Sequence, residues 1–309
     1  MTHDAVLMIA YGAPDRPEDV RPYLAGILRG RRVPPGRIDE VAQHYMHFGG
    51  SPLTALTRRQ AAALERELRA RGARLPVYVG MRNWTPYLHE TLEAMRQAGV
   101  RRALGVVMAP HQSYASWEQY HENVAEARAK VGAGAPEVDY LAPWFDQAGF
   151  VEAQAERVGE ALRSVPDGER EHAVLVFTAH SIPAAMAERS PYAAQIAATA
   201  RLVAARLGRT AWEIAYQSRS GDPREPWLEP DVGDALRALA LRRVRTVVVA
   251  PVGFVTDHIE VLYDLDTEAR RAAGALDLAF HRAGTVMDHP AFIGMLADLI
   301  AAPRRGADA

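Results

Sequence analysis

Cysteine is absent from the 309 residues, which excludes disulfides, thiolate nucleophiles and cysteine-ligated zinc or iron–sulfur clusters. Lysine is nearly absent too: Lys130 stands alone, and arginine carries almost all of the positive charge. No apolar run approaches the roughly 18 residues that a membrane-spanning helix needs. The opening MTHDAVLMIAYGAP has no basic stretch and turns polar too early for a signal peptide. Neither a GxGxxG fingerprint nor a GxxxxGK motif occurs, so a dinucleotide or a triphosphate is not the expected ligand. With a net charge of -2 at pH 7, neither nucleic acid nor an anionic membrane is the expected partner. A soluble cytoplasmic protein remains as the expectation.

What is present has the balance of a folded globular chain, 49% hydrophobic against 24% charged residues. Short apolar runs alternate with long amphipathic segments rich in Ala, Leu and Arg. The runs cover 6–10, 77–80, 104–109 and 138–141, then 174–178, 213–216, 246–250 and 278–281. Most are apolar throughout rather than alternating, the pattern of parallel strands covered on both faces. Two stretches recur: VLMIAYGAP (6–14) resembles VLVFTAHSIP (174–183), and VVMAPHQS (106–113) resembles VVVAPVGF (247–254). In that alignment Tyr11 falls opposite His180. The pattern predicts an α/β fold of two Rossmann-like domains, each a parallel sheet flanked by helices, with an active-site cleft between them. Residues 1–145 are expected to form the first domain and 146–309 the second, with a last helix near 289–302 packing back on the first.

The stretch TDHIEVLYDLDTEA (256–269) carries Glu260, Asp264 and Glu268 at steps of four, one column on an α-helix. Like charges so spaced repel by a few tenths of a kcal/mol per pair, and no lysine or arginine inside the stretch relieves them. One reading is a solvated face. The other is a column receptive to a divalent cation, because crowded carboxylates raise one another's pKa and a cation relieves the repulsion. Oxygen and imidazole ligands suit Fe2+ or Mg2+. Asp257 reads as the N-cap of this helix. His180, held after a strand in AHSIP, can accept a proton at neutral pH or bind a metal, with a structural histidine as the plainer alternative. Ser51 with Pro52 reads as an N-cap and first helical residue. LRGRR (28–32) is either a solvated basic cluster or a clamp on acidic ligand groups, and PWLEPDV (226–232) a rigid turn that packs Trp227.

On these residues the chain resembles the ferrochelatases, more narrowly the soluble coproporphyrin III ferrochelatases of bacteria. The resemblance runs from IAYGAP to the C-terminal helix and is carried by TAHSIP, YQSRSGDPREPWLEPDV and PVGFVTDHIEVLYDLD. It implies insertion of Fe2+ into a porphyrin, most of all coproporphyrin III to give coproheme, in haem biosynthesis. By the same resemblance His180 and Glu260 are catalytic and ligate metal, while Asp264 and Glu268 lead to an outer site for a second divalent ion such as Mg2+. Tyr11 matches the tyrosine typical of the coproporphyrin branch; Arg29, Arg31, Ser51, Tyr120 and Trp227 match the porphyrin contacts. His180 is expected on one face of the ring and Glu260 on the other.

No tightly bound organic cofactor is implied, since porphyrin and ferrous iron are the substrates. The iron–sulfur cluster of actinobacterial and animal relatives has no cysteine to hold it here. A monomer is expected, meeting other haem-pathway enzymes only transiently. The chain departs from the family at GGSPL (49–53), one residue short, at His44, where the family has a more basic residue before tyrosine, and at Asn83, where some members have histidine. The alternatives are a protoporphyrin IX ferrochelatase, a sirohydrochlorin-type cobalt or iron chelatase, and a non-catalytic haem-binding protein.

Overall fold

A computed structural model describes residues 3–29, 36–220 and 224–302. Eight strands form two parallel sheets. In the first, β2 (Val77–Met81), β1 (Ala5–Ala10), β3 (Arg102–Val107) and β4 (Glu137–Tyr140) lie in the order β2-β1-β3-β4. In the second, β6 (Trp212–Gln217), β5 (Val174–His180), β7 (Thr246–Ala250) and β8 (Ala279–Arg282) lie in the order β6-β5-β7-β8. The two orders are the same when β5 is matched to β1, which places the two recurring sequence stretches on equivalent strands. Tyr11 follows β1 and His180 ends β5, as the alignment of the stretches required.

The apolar runs become these strands because helices cover both sheet faces. Every side chain of β1 and β7 is buried, and strands without a solvent face have no use for alternation. Most strand ends differ from the sequence reading by one or two residues, and one difference bears on the site: the 104–109 run leaves the sheet after Val107, so Ala109 and Pro110 already line a cavity. Helix Leu53–Ala70 buries Leu64 and Leu68 and stops at Gly72, whose φ of +84° closes it in a left-handed cap.

Two helices join the sheets. Ala148–Arg163 is apolar on two sides: Phe150 and Ala153 pack with Val6, Leu64 and Trp144, while Val151, Ala155 and Val158 pack with Leu175 and Val248. Helix Pro290–Ala301 lies against both Leu53–Ala70 and Ala148–Arg163. A Cβ on Gly149 would meet the Ala291 carbonyl oxygen at 2.5 Å, so only glycine permits this approach. Arg59 adds a bidentate pair with Asp288 at 2.7 and 2.5 Å, and Gln60 donates to the carbonyls of Val255 and Met287.

The acid-bearing helix is not a plain α-helix. It starts as Ile259–Val261, widens to a π-helix over Leu262–Ala269 and returns to α over Arg270–Ala275. A reason is visible in its sequence. Beyond Ile259, its buried residues Val261, Leu265, Ala269 and Ala273 recur every four positions, as do Glu260, Asp264 and Glu268. At 3.6 residues per turn such stripes drift by about 40° at each step. The i→i+5 bonding of a π segment widens the turn and reduces that drift. One stripe stays in the core and the other stays in line.

Candidate active site

All the loops that carry polar chemistry leave the C-terminal ends of the central strands, where parallel α/β sheets place their ligands. They enclose a cavity of about 510 Å³ between the two sheets. Tyr11 enters it after β1, Arg82 after β2, His111 and Ser113 after β3, His180 from β5, and His258 and Glu260 after β7. Ser51, Tyr120 and Trp227 also line it. Six of the residues singled out in the sequence therefore meet in one place: Tyr11, Ser51, Tyr120, His180, Trp227 and Glu260.

His180 is held at one ring nitrogen and at its backbone carbonyl. Its Nδ1 donates to the Ser181 carbonyl oxygen at 2.5 Å, which puts the proton of the neutral ring on Nδ1 and leaves Nε2 as the basic nitrogen. The Tyr192 hydroxyl donates to the His180 carbonyl at 3.0 Å and holds the strand end. PWLEPDV locks the loop beyond: Ala184 N–H donates to Pro226 O, Leu228 N–H to Ile182 O and the Ser181 hydroxyl to Leu228 O, each at 2.9 Å. Trp227 thereby sits in the wall with its indole N–H buried and without a protein acceptor among the described residues. Gly253 packs so close that a Cβ there would stand 2.6 Å from the Ala179 Cβ.

Nε2 of His180 lies 3.9 Å from Oε2 of Glu260, and Nδ1 of His258 lies 3.8 Å from the same oxygen. A flat aromatic ring between two groups needs about 3.5 Å of contact on each side. A macrocycle therefore does not fit between His180 and Glu260. The two groups stand side by side, which does not match the expectation that they take opposite faces of the ring. Burial holds His258 below the usual histidine range despite the neighbouring Glu260.

Behind Glu260 the column recedes outward. Asp264 is half-buried, and burial raises its carboxyl to about 7, assisted by the charges of Glu260 and Glu268 and opposed by hydrogen bonds from Ser218 and Gln217. Ser218 donates to Asp264 from a left-handed backbone with φ of 63°. Gln217 donates to the Glu260 carbonyl at 3.2 Å and is itself held by Thr178 at 2.9 Å. Glu268 is exposed. Among the described residues no group of three or more His, Asp or Glu side chains converges to cage a metal ion, so the acids form successive stations rather than one closed site.

Other expectations are revised. The N-cap of the acid helix is His258 rather than Asp257, whose carboxylate takes Arg282 and the Thr285 hydroxyl, both at 3.1 Å. Pro52 is the residue that caps Leu53–Ala70, one position later than expected; Ser51 Oγ accepts from Leu53 N–H at 3.4 Å. Arg29 is exposed and outside the cavity wall, and Arg31 lies outside the described residues. His44 does not reach the cavity wall; its ring stacks on Tyr263 at 3.5 Å and 13°. The sequence reading missed Arg82, His258, and the buried pair Tyr23 and Tyr45, which touch ring to ring at 5.7 Å. Arg82 had a signal, since it directly follows β2 just as Tyr11 follows β1.

A family model described as Ferrochelatase matches residues 3–303. The coproporphyrin III ferrochelatase of Mycobacterium avium is 49% identical over 97% of this chain and 88% of its own length. That of Mycolicibacterium smegmatis is 46% identical over 97% and 89%. Among solved structures, the sirohydrochlorin chelatase SirB of Bacillus subtilis subspecies spizizenii with cobalt superposes with a TM-score of 0.56 at 12% identity, covering 96% of this chain and 93% of that one. That likeness is one of fold. With the cavity, the paired His180 and Glu260 and the family match over nearly all its length, the chain belongs to the ferrochelatase family.

Proposed function

We propose that this protein inserts Fe2+ into coproporphyrin III to give coproheme in haem biosynthesis. The observation that carries the reading is the meeting of His180 Nε2 and Glu260 Oε2 in a cavity walled by Tyr11 and Tyr120, in a chain 44–49% identical to coproporphyrin III ferrochelatases. Metal insertion requires loss of two pyrrole N–H protons. His180, with its lone pair on Nε2, accepts a proton as neutral base, and Glu260 beside it takes up or passes on charge. Both act on one face, and Tyr11 is assigned to the other. Asp264, with a carboxyl near 7, can hold or release a proton at neutral pH, which suits a relay station between Glu260 and exposed Glu268. Ferrous iron is a substrate here, and stations that bind without caging suit an ion that must be handed on.

The finer features belong to the same proposal. Ser51, Tyr120 and Trp227 contact the macrocycle, and the LRGRR segment with Arg29 and Arg31 supplies charge at its rim. A second divalent ion such as Mg2+ is assigned to the Asp264 and Glu268 end. The lack of cysteine supports a reading without an iron–sulfur cluster. Residues 1–145 and 146–309 are taken as the two domains. A monomer in the cytoplasm, meeting other enzymes of the pathway only transiently, is the matching assignment; no helix among the described residues is long and apolar enough to cross a membrane.

A substrate panel tests the reading. Purified protein is offered coproporphyrin III, protoporphyrin IX and sirohydrochlorin, each with Fe2+ and with Co2+. Preferred metallation of coproporphyrin III by Fe2+ is the expected result. Preference for sirohydrochlorin, or tight haem binding without any metallation, would overturn it.

A further inference from the structure

Among the described residues, the wall of the cavity contains one guanidinium, which neither proton removal nor iron delivery uses. Arg82, half-buried at the end of β2, points its guanidinium at two tyrosine rings, 5.9 Å from the centre of Tyr11 and 5.7 Å from the centre of Tyr120. Its backbone N–H is bound to the Ala10 carbonyl at 2.9 Å, so the residue is anchored to β1 as well as to β2. The side chain has five N–H donors. Among the described residues none of these donors meets a carboxylate or any other acceptor.

A guanidinium in such a place is costly unless a counter-charge arrives. The two rings hold it by cation–π attraction and fix its direction, but they leave its donor edges unmatched. A planar fork with open edges is the shape that receives a carboxylate in two parallel hydrogen bonds. His44 does not reach the cavity wall, since its ring stacks on Tyr263. Among the described residues, Arg82 is the one guanidinium in the cavity wall.

The geometry points to Arg82 as a recognition residue that binds a rim carboxylate of the tetrapyrrole, steered into place by Tyr11 and Tyr120. This rests on the functional reading above. It also gives the two rings a second role, because a carboxylate clamped at Arg82 brings the macrocycle edge against Tyr11 and sets the height of the ring above His180 and Glu260.

Binding measured without iron tests this, by quenching of porphyrin fluorescence. The probes are coproporphyrin III and the same porphyrin with its four carboxylates converted to neutral primary amides. Arg82→Met is expected to weaken the tetraacid about tenfold or more, the scale of a lost charge-assisted contact. It should change the tetraamide less than about twofold, and Arg82→Lys should recover part of the loss by restoring charge without the fork. The circular dichroism and thermal midpoint of the variants show whether folding is intact. Equal weakening of acid and amide would overturn the assignment, because the residue would then act through packing on the tyrosines. So would tetraacid binding that is unchanged in Arg82→Met. A wild-type protein unable to bind the tetraacid would overturn the functional reading, and this assignment with it.

Discussion

His180 Nε2 and Glu260 Oε2 stand 3.9 Å apart, brought together from the ends of β5 and the loop after β7. Their nearness leaves no room for a flat ring between them, and in the proposed reaction they act as a unit on one face of it. Residues that act as a unit show strongly non-additive losses. His180→Ala and Glu260→Gln should each reduce iron insertion by about 100-fold or more, the scale of a lost acid–base group. The double variant should lose little beyond the worse single one. Losses that multiply in the double variant would show independent action and contradict the shared face.

Asp264 and His111 should tilt stability with pH in opposite directions. The Asp264 carboxyl ionises near 3.8 when unperturbed and near 7 in the fold. Between those values the folded chain holds the extra proton, so this group makes stability fall as pH rises. Burial lowers His111 from 6.5 to about 3. Between those values the unfolded chain holds the extra proton, so stability is lost as pH falls below 6.5. Asp264→Asn removes the first effect and leaves the second. Urea midpoints measured from about pH 4 to about pH 8 should show the variant losing stability toward acid more steeply than the wild type.

Gly253 should accept no side chain. A Cβ there meets the Ala179 Cβ at 2.6 Å, one residue before His180. Overpacking of this kind costs about 1–3 kcal/mol, and relief of the clash moves the end of β5. Gly253→Ala is expected to lower the thermal midpoint and to reduce turnover, although no reacting group has been altered. Wild-type turnover in that variant would mean that the strand end yields without displacing His180.

The His44 stack on Tyr263 ties helix Arg37–His47 to the acid helix. An aromatic pair contributes about 0.5–1.5 kcal/mol beyond its buried area. His44→Ala should lower the urea midpoint correspondingly, while His44→Phe keeps most of it. If His44 instead contacted the substrate, both variants would weaken porphyrin binding alike, which a fluorescence titration would reveal.

Much of the site is legible in the sequence. Tyr11 and His180 sit at matching points of two similar stretches, and each follows a central strand because a strand buried on both faces must be written as an apolar run. Glu260 is marked by its place in a period-four row of acids. That row also holds the sign of a widened helix, since the buried residues keep the same period, yet the spacing of the acids alone predicts an ordinary α-helix. Asp257 reads as a cap because capping is a local rule, whereas its partner Arg282 lies on β8 and is brought near only by the sheet.

By itself the sequence determined the strands, their parallel arrangement and the two-fold recurrence, and it singled out His180 and Glu260, because these depend on local pattern and on residues held in short motifs. Only the tertiary structure decided that His180 and Glu260 stand 3.9 Å apart, that the Asp264 carboxyl is raised to about 7, that His44 turns to Tyr263 and that Arg82 faces the cavity. Each of these depends on distances and burial between residues far apart in the chain. Packing sets those quantities, and no spacing along a sequence encodes them directly.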